Sequence, residues 1–272
     1  MARQKNLKMI LSNYGLNVHE NPGQPLNRGN VLNSNYYDLI FEVYNQLGGQ
    51  LSEAPLNISN WDLKVEGIVV ELDEELHFNR YRKKTLHSPI YNELPCFPKE
   101  EYRNYCLTKE EACLAAGSYG KKWTSTSCEN QFGASEEAGT LSGNGSARWK
   151  QRAFYDFVKD LSPLILNLRF ARISIWDIIN VNGNNHTIND ILENHINEAA
   201  EGLFELKMKR SNLYKLEKKN NKWIIVGSGE GWIFNRTFPR KWKAEIALKV
   251  FQEGGKVSDY WKECRKSGPK RK

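Results

Sequence analysis

Residues 60–80 (NWDLKVEGIVVELDEELHFNR) restrict the fold of this chain more than any other stretch, because they read as a β-hairpin with its carboxylates gathered on one face. Glu66-Gly67 supplies a two-residue turn, which sets the register so that Val65 faces Ile68, Leu63 faces Val70 and Trp61 faces Leu72. All six are apolar. Side chains alternate across a strand, so the other face carries Asn60, Asp62 and Lys64 opposite Asp73, Glu71 and Val69. Asp62 and Glu71 become cross-strand neighbours, and Asp73 lies two residues along. Like charges so placed repel and call for a cation. A hard divalent ion, Mg²⁺ or Mn²⁺, suits a few carboxylate oxygens plus water or phosphate. The ordinary alternative is a solvated acidic face; the unbroken apolar face, Val69 among the acids, and His77 and Arg80 close behind argue against it.

A length of 272 residues with 40% hydrophobic content is enough for a sizeable core. The alternation of helical and strand patterns predicts an α/β (α+β) fold with a mixed sheet flanked by helices. Residues 36–47 (YYDLIFEVYNQL) read as a helix ended by Gly48-Gly49, with Glu42 on its exposed side, and residues 109–116 as a short helix. Residues 88–98 are turn-rich. The Gly/Ser/Thr-rich stretch 124–146 reads as a long loop. Residues 147–161 (ARWKQRAFYDFVKDL) form a basic amphipathic helix, and 170–176 (FARISIW) a strand returning the chain to the sheet. Beyond them, NGNNH reads as a loop, 188–203 as a helix, 204–209, 213–216 and 223–226 as short strands, and 241–251 as a closing helix. The GSGEG run (227–231) lacks the endings of phosphate-binding glycine loops. His186 and His195 have no evident ligand partners. The expected domains are an N-terminal segment (1–30), a core (31–200) and a basic C-terminal α+β extension (201–272) packed on it.

No run of about 18 apolar residues is present to span a membrane, and the start MARQKNLKMILSN lacks the apolar centre of a secretory signal. A cytoplasmic address is expected. The five cysteines (Cys96, Cys106, Cys113, Cys128, Cys264) form no C-x-x-C pair, which disfavours a disulfide framework or a zinc ribbon.

Charge is distributed unevenly. Residues 201–272 hold 19 Lys/Arg against 8 Asp/Glu, net +11, which leaves −4 on residues 1–200 from the total of +7. Such a basic end suits a polyanion, and aromatic residues interleaved with its cations, among them Trp223, Trp232 and Trp242, can stack on bases. A solubilising surface is the alternative.

An Asp on one strand, a short turn and Glu-x-Asp on the next (Asp62, Glu71, Asp73) resemble the core of the PD-(D/E)XK nuclease superfamily. The run VVELDEELHF is similar to the pattern of the branch related to very-short-patch-repair (Vsr-like) endonucleases. LDEELHFNRYR and RWKQRAFYDF together also resemble uncharacterised bacterial proteins, which implies no activity. The nuclease resemblance implies a restriction-endonuclease-like core in which Asp62, Glu71 and Asp73 bind Mg²⁺ or Mn²⁺ and His77 serves as an acid, base or phosphate contact. Two departures stand out. The usual Lys of the Glu-x-Lys form is Asp73, so the positive charge facing the phosphate must come from elsewhere, and Glu74 replaces the Gly that ordinarily follows the Asp. A basic helix after the acidic strands is part of the same resemblance, which makes Lys150, Gln151 and Arg152 candidates for that charge. Arg80, Arg236 and Arg240 are further phosphate-binding candidates.

The expected function is Mg²⁺-dependent endonuclease activity on DNA. Two alternatives remain open: an inactive nucleic-acid-binding protein with a nuclease-like core, and a protein-interaction domain whose acidic hairpin is only surface.

Overall fold

The computed structural model describes residues 2–23, 26–94, 97–208, 214–227 and 237–252. The fold is α+β. Strands β1 (Val18–Glu20), β2 (Leu63–Val65), β3 (Ile68–Asp73) and β4 (Phe170–Ser174) form one mixed sheet in that order, antiparallel except for the parallel pair β3 and β4. The hairpin has the expected register, Leu63 to Val70 and Val65 to Ile68. Its turn has φ of 47° at Glu66 and 78° at Gly67, the left-handed pair that a tight two-residue connection requires. Glutamate is an unusual occupant there. It is held by two contacts with Asn17, whose carbonyl accepts from the Glu66 N–H and whose N–H donates to Glu66 Oε1.

The two faces of the sheet meet different partners. Leu63, Val65, Ile68, Val70 and Leu72, joined by Ala171 and Ile173, pack on the N-terminal helix Ala2–Asn13 through Leu7, Ile10 and Leu11, and on Ile188, Ile191 and Leu192 of the helix Ile188–Glu193. That face is oily, and each fully buried aliphatic side chain contributes about 1.5–3 kcal/mol. The opposite face presents Glu71, Asp73 and Arg172 to the long helix Ala147–Asp160, so sheet and helix meet through charge. The far side of that helix, with Trp149, Phe154, Phe157 and Val158, enters a second core with Tyr44, Phe78, Tyr102 and Phe132.

Several expectations need correction. Residues 1–30 are no separate segment, since the N-terminal helix and β1 belong to the core. Residues 124–146, expected as a long loop, include the helix Thr126–Phe132. NGNNH is the turn and second strand of a hairpin, β5 (Ile178–Val181) and β6 (Asn184–Thr187). The helix expected over 188–203 is interrupted at His195, where φ is 53°, and of the strand expected over 204–209 the described residues, 204–208, belong to a π-helical turn, Leu203–Met208, with Lys209 outside them. Trp61 leaves the apolar face: it packs on Phe170, 5.0 Å between ring centroids, on the side that carries the acids.

Within residues 201–272, β7 (Tyr214–Lys219) and β8 (Lys222–Gly227) pair as a hairpin, and Ile225 packs with Phe238 and with Ala244, Ala247 and Val250 of the helix Lys241–Gln252. Lys218, Lys219 and Lys222 stand exposed at its tip. No helix among the described residues is long and apolar enough to cross a membrane.

Candidate functional site

Where the hairpin opens out, side chains replace the ladder. Beyond Leu63 the main-chain pairing stops; Asp62 Oδ2 accepts from the Leu72 N–H at 2.9 Å, and Glu71 Oε1 accepts from the Asp62 N–H at 3.2 Å. Gln4 of the N-terminal helix holds the Asp62 carbonyl at 2.8 Å. These contacts seat both carboxylates in the wall of a cleft of about 320 Å³. Asp62 Oδ1 has no hydrogen-bond partner among the described residues.

The facing wall is one stripe of the long helix. Arg148, Arg152, Tyr155 and Lys159 fall at i, i+4, i+7 and i+11, the spacing of a single helical face, and all line the cleft with Asp156 beside them. Lys159 Nζ donates to Glu71 Oε2 at 2.8 Å and to the Asn60 carbonyl at 3.1 Å, and lies over the Trp61 ring. Arg148 donates to Gln151 Oε1, and Arg152 to His77 Nε2 at 3.0 Å. Neither arginine has a carboxylate within ion-pair distance among the described residues, although the charges of Asp156 and Asp73 reach Arg152 against the cost of its burial.

Behind this cleft lies a buried ionic layer. Arg172 Nη1 grips both oxygens of Asp73 at 2.6 and 2.8 Å, its Nη2 donates to the carbonyl and Oδ1 of Asp156, and its Nε donates to Asp160 at 2.5 Å. Asp73 also accepts from the Tyr102 hydroxyl at 2.8 Å, and Asp160 from Arg82 and Tyr91, both at 2.6 Å. Charges so deep are tolerated only when paired and fully hydrogen-bonded, and here each acid has at least two donors. His77, on the turn after β3, joins the layer to the cleft: its Nδ1 lies 2.8 Å from Asp156 Oδ2 and 3.2 Å from Asp73 Oδ1. Asp73, His77 and Asp156 each offer a ligand atom within 4.8 Å of one another, a spacing that can hold an ion, although Arg172 already supplies a cation to both acids.

Burial dominates the acid–base character of the hairpin. It pushes the Glu71 carboxyl up to about 7, with Asp62 adding to the rise against the pull of Lys159, and it raises Asp62 as well. Burial also works against the charge of Asp156, but the charge of Arg172 and the hydrogen bond from His77 Nδ1 outweigh it and hold that carboxyl well below its usual range. For Glu71 the sign of the stability effect is definite. The folded protein keeps its proton up to about pH 7, the unfolded chain only to about 4.5, so stability falls as pH rises through that window. The loss is about 3 kcal/mol. Urea denaturation between pH 5 and 8 should show a steeper decline for the parent than for Glu71→Gln; parallel curves would refute it.

Of the residues singled out by sequence, Asp62, Glu71, His77 and Arg152 line the cleft. Asp73 sits behind it, fully buried and bound by Arg172. Lys150 and Gln151 do not line the cleft: the Lys150 ammonium contacts Asn144 and Tyr81, and Gln151 bonds Gln131 at 2.9 Å while accepting from the cleft residue Arg148. Arg80 is exposed and paired with Glu110 at 2.8 Å, Arg240 is exposed on the C-terminal unit, and Arg236 lies outside the described residues. Glu42 is exposed. Arg148, Asp156, Lys159 and Arg172 escaped sequence reasoning, although the stripe on 147–160 announces three of the cleft residues.

The profile of a protein family described as "Family of unknown function (DUF7255)" matches residues 42–194, more than half of the chain, which spans the hairpin, the long helix and β4. No curated protein and no solved structure matches the chain.

Proposed function

We propose, from the premise that this chain belongs to the DUF7255 family of unknown function, that it is a metal-dependent nuclease hydrolysing phosphodiester bonds in DNA. One observation carries this reading: a single cleft holds the carboxylates Asp62 and Glu71 on one wall and, on the other, the guanidinium groups of Arg148 and Arg152, neither with a carboxylate at ion-pair distance among the described residues. Carboxylates suit a hard cation, guanidinium forks suit phosphate oxygens, and a phosphate ester with its ion needs both. The order of parts also agrees with the resemblance to PD-(D/E)XK nucleases: an acidic hairpin, a basic helix, then a strand returning beside β3.

Asp62 and Glu71 would hold Mg²⁺ or Mn²⁺, and the donor set fits, since Asp62 Oδ1 has no hydrogen-bond partner among the described residues and Glu71 ionises near neutrality. The ion would supply a bound water of lowered pKa and neutralise charge growing on the phosphate. Arg148 and Arg152 orient the phosphate from the helix wall. Lys159 is the cation missing from the Glu-x-Lys form; it comes from the helix and reaches the same carboxylate that a strand lysine would neighbour. Asp73 then has a supporting role, anchoring Arg172.

Incubating purified protein with single-stranded, double-stranded and mismatched DNA, with Mg²⁺, Mn²⁺ or EDTA, tests the reading. Metal-dependent cutting of any of them supports it. Binding without cutting would replace it with the inactive nucleic-acid-binding module, which the closed Glu71–Lys159 pair favours as second reading. Neither binding nor cutting would leave the protein-interaction alternative.

The exposed hairpin tip yields a separate expectation. Lys218, Lys219 and Lys222, if they neutralise phosphates, contribute to the salt dependence of DNA binding at about 0.9 of a logarithmic unit each. Replacing all three with Ala should flatten the slope of log affinity against log salt by roughly 2–3. An unchanged slope assigns these lysines to solubility.

A further inference from the structure

Both nitrogens of His77 are occupied. A guanidinium can only donate, so the contact between Arg152 Nη1 and His77 Nε2, 3.0 Å, uses the lone pair of that nitrogen. The hydrogen therefore sits on Nδ1, where Asp156 Oδ2 at 2.8 Å and Asp73 Oδ1 at 3.2 Å accept it. Both acids are themselves fixed by Arg172. The chain of contacts runs from the immobile buried layer, through an oriented imidazole, to a guanidinium with no carboxylate of its own. A general base needs a free lone pair facing the reacting water; here that lone pair is in use, and releasing it would free Arg152 to swing.

We infer that His77 is a positioning residue: it transmits the orientation of the Asp73–Arg172–Asp156 layer to Arg152, aiming that guanidinium at a phosphate oxygen of a bound nucleic-acid strand, and it takes no proton from substrate or water. The inference rests on the phosphate-binding reading of the cleft. It departs from the expectation that a histidine beside paired acids serves as acid or base. It also explains how Arg152 can stay ordered without a carboxylate at ion-pair distance: the acceptor nitrogen of His77 holds the guanidinium in place.

Four full-length variants test it: His77→Gln, His77→Ala, Arg152→Ala and the double His77→Ala/Arg152→Ala, each first checked by thermal melting. Glutamine has an oxygen to accept from Arg152 and an NH₂ to donate to Asp156, yet does not titrate. The probe is a fluorescein-labelled octathymidylate, bound without metal and followed by anisotropy. Arg152→Ala should weaken binding roughly 10- to 100-fold, the worth of a charge-assisted hydrogen bond. His77→Ala should lose a similar factor, the double variant should be no weaker than Arg152→Ala, and His77→Gln should stay within about threefold of the parent. With metal, His77→Gln should keep the limbs of the parent pH–rate profile, whereas His77→Ala should lose on the order of 100-fold in kcat/KM. If His77→Gln is as inactive as His77→Ala, or loses a limb of the profile, or if the two alanine effects add in full, the imidazole acts in its own right and the inference is overturned while the cleft reading stands. A parent that neither binds the probe nor cuts DNA overturns the cleft reading and this inference with it.

Discussion

Glu71→Gln should abolish metal-dependent DNA cleavage, by on the order of a thousandfold, while the protein stays folded and still binds DNA. The exchange keeps the shape and the hydrogen bond from the Asp62 N–H, but removes the charge that Lys159 balances and that an ion would need. Two properties should separate in the same variant. Without ion, burial no longer has to be overcome to ionise the side chain, so stability at pH 8 should match or exceed the parent. Calorimetric titration with Mn²⁺ should show binding lost alongside cleavage. Parent-like cutting by the purified variant would place the chemistry elsewhere.

Arg172→Met should be the most destabilising single change in the described part of the chain, at about 3–5 kcal/mol, read as a lower urea midpoint. Methionine fills much of the volume, so the cost arises from charge: Asp73, Asp156 and Asp160 would face one another with Arg82 as the remaining buried guanidinium among them. Arg172→Lys should recover little, because one ammonium cannot reproduce the Nε, Nη1 and Nη2 contacts made to three different acids. A loss below about 1 kcal/mol for Arg172→Met would mean that the acids protonate on folding and that the layer is not ionic.

What the sequence made legible follows from the range over which each determinant acts. The hairpin register is set within ten residues by Glu66-Gly67 and by strict alternation, so Leu63, Val65, Ile68 and Val70 fall where expected. Trp61 does not, because Asp62 bonds the Leu72 N–H with its side chain and ends the strand one residue early. The N-terminal helix buries only Leu7, Ile10 and Leu11, too sparse a stripe to stand out among polar residues. Residues 204–209 alternate like a strand, but packing of Leu203 and Met208 decides for a helical turn. The Asn182-Gly183 pair, in contrast, is an ordinary hairpin signal, and the chain follows it in spite of the polarity around it. Within the cleft, Asp62 and Glu71 were readable from a local pattern. Arg172 offered a weaker sign, one charge in an otherwise apolar strand, and nothing local says which acids it meets.

The parallel pairing of β3 with β4 bears on the order in which the chain can assemble. Asp73 and Arg172 are 99 residues apart in sequence, and Glu71 and Lys159 are 88 apart, whereas the hairpin closes over two residues. Loop closure over such spans is slow, so the acidic strands form while their cations are still part of an unfolded segment. During that interval Asp62, Glu71 and Asp73 repel one another in water, and only the docking of the long helix and β4 relieves them. Refolding should therefore pass through a late, electrostatically steered step, slower at raised ionic strength, with the cleft completed last.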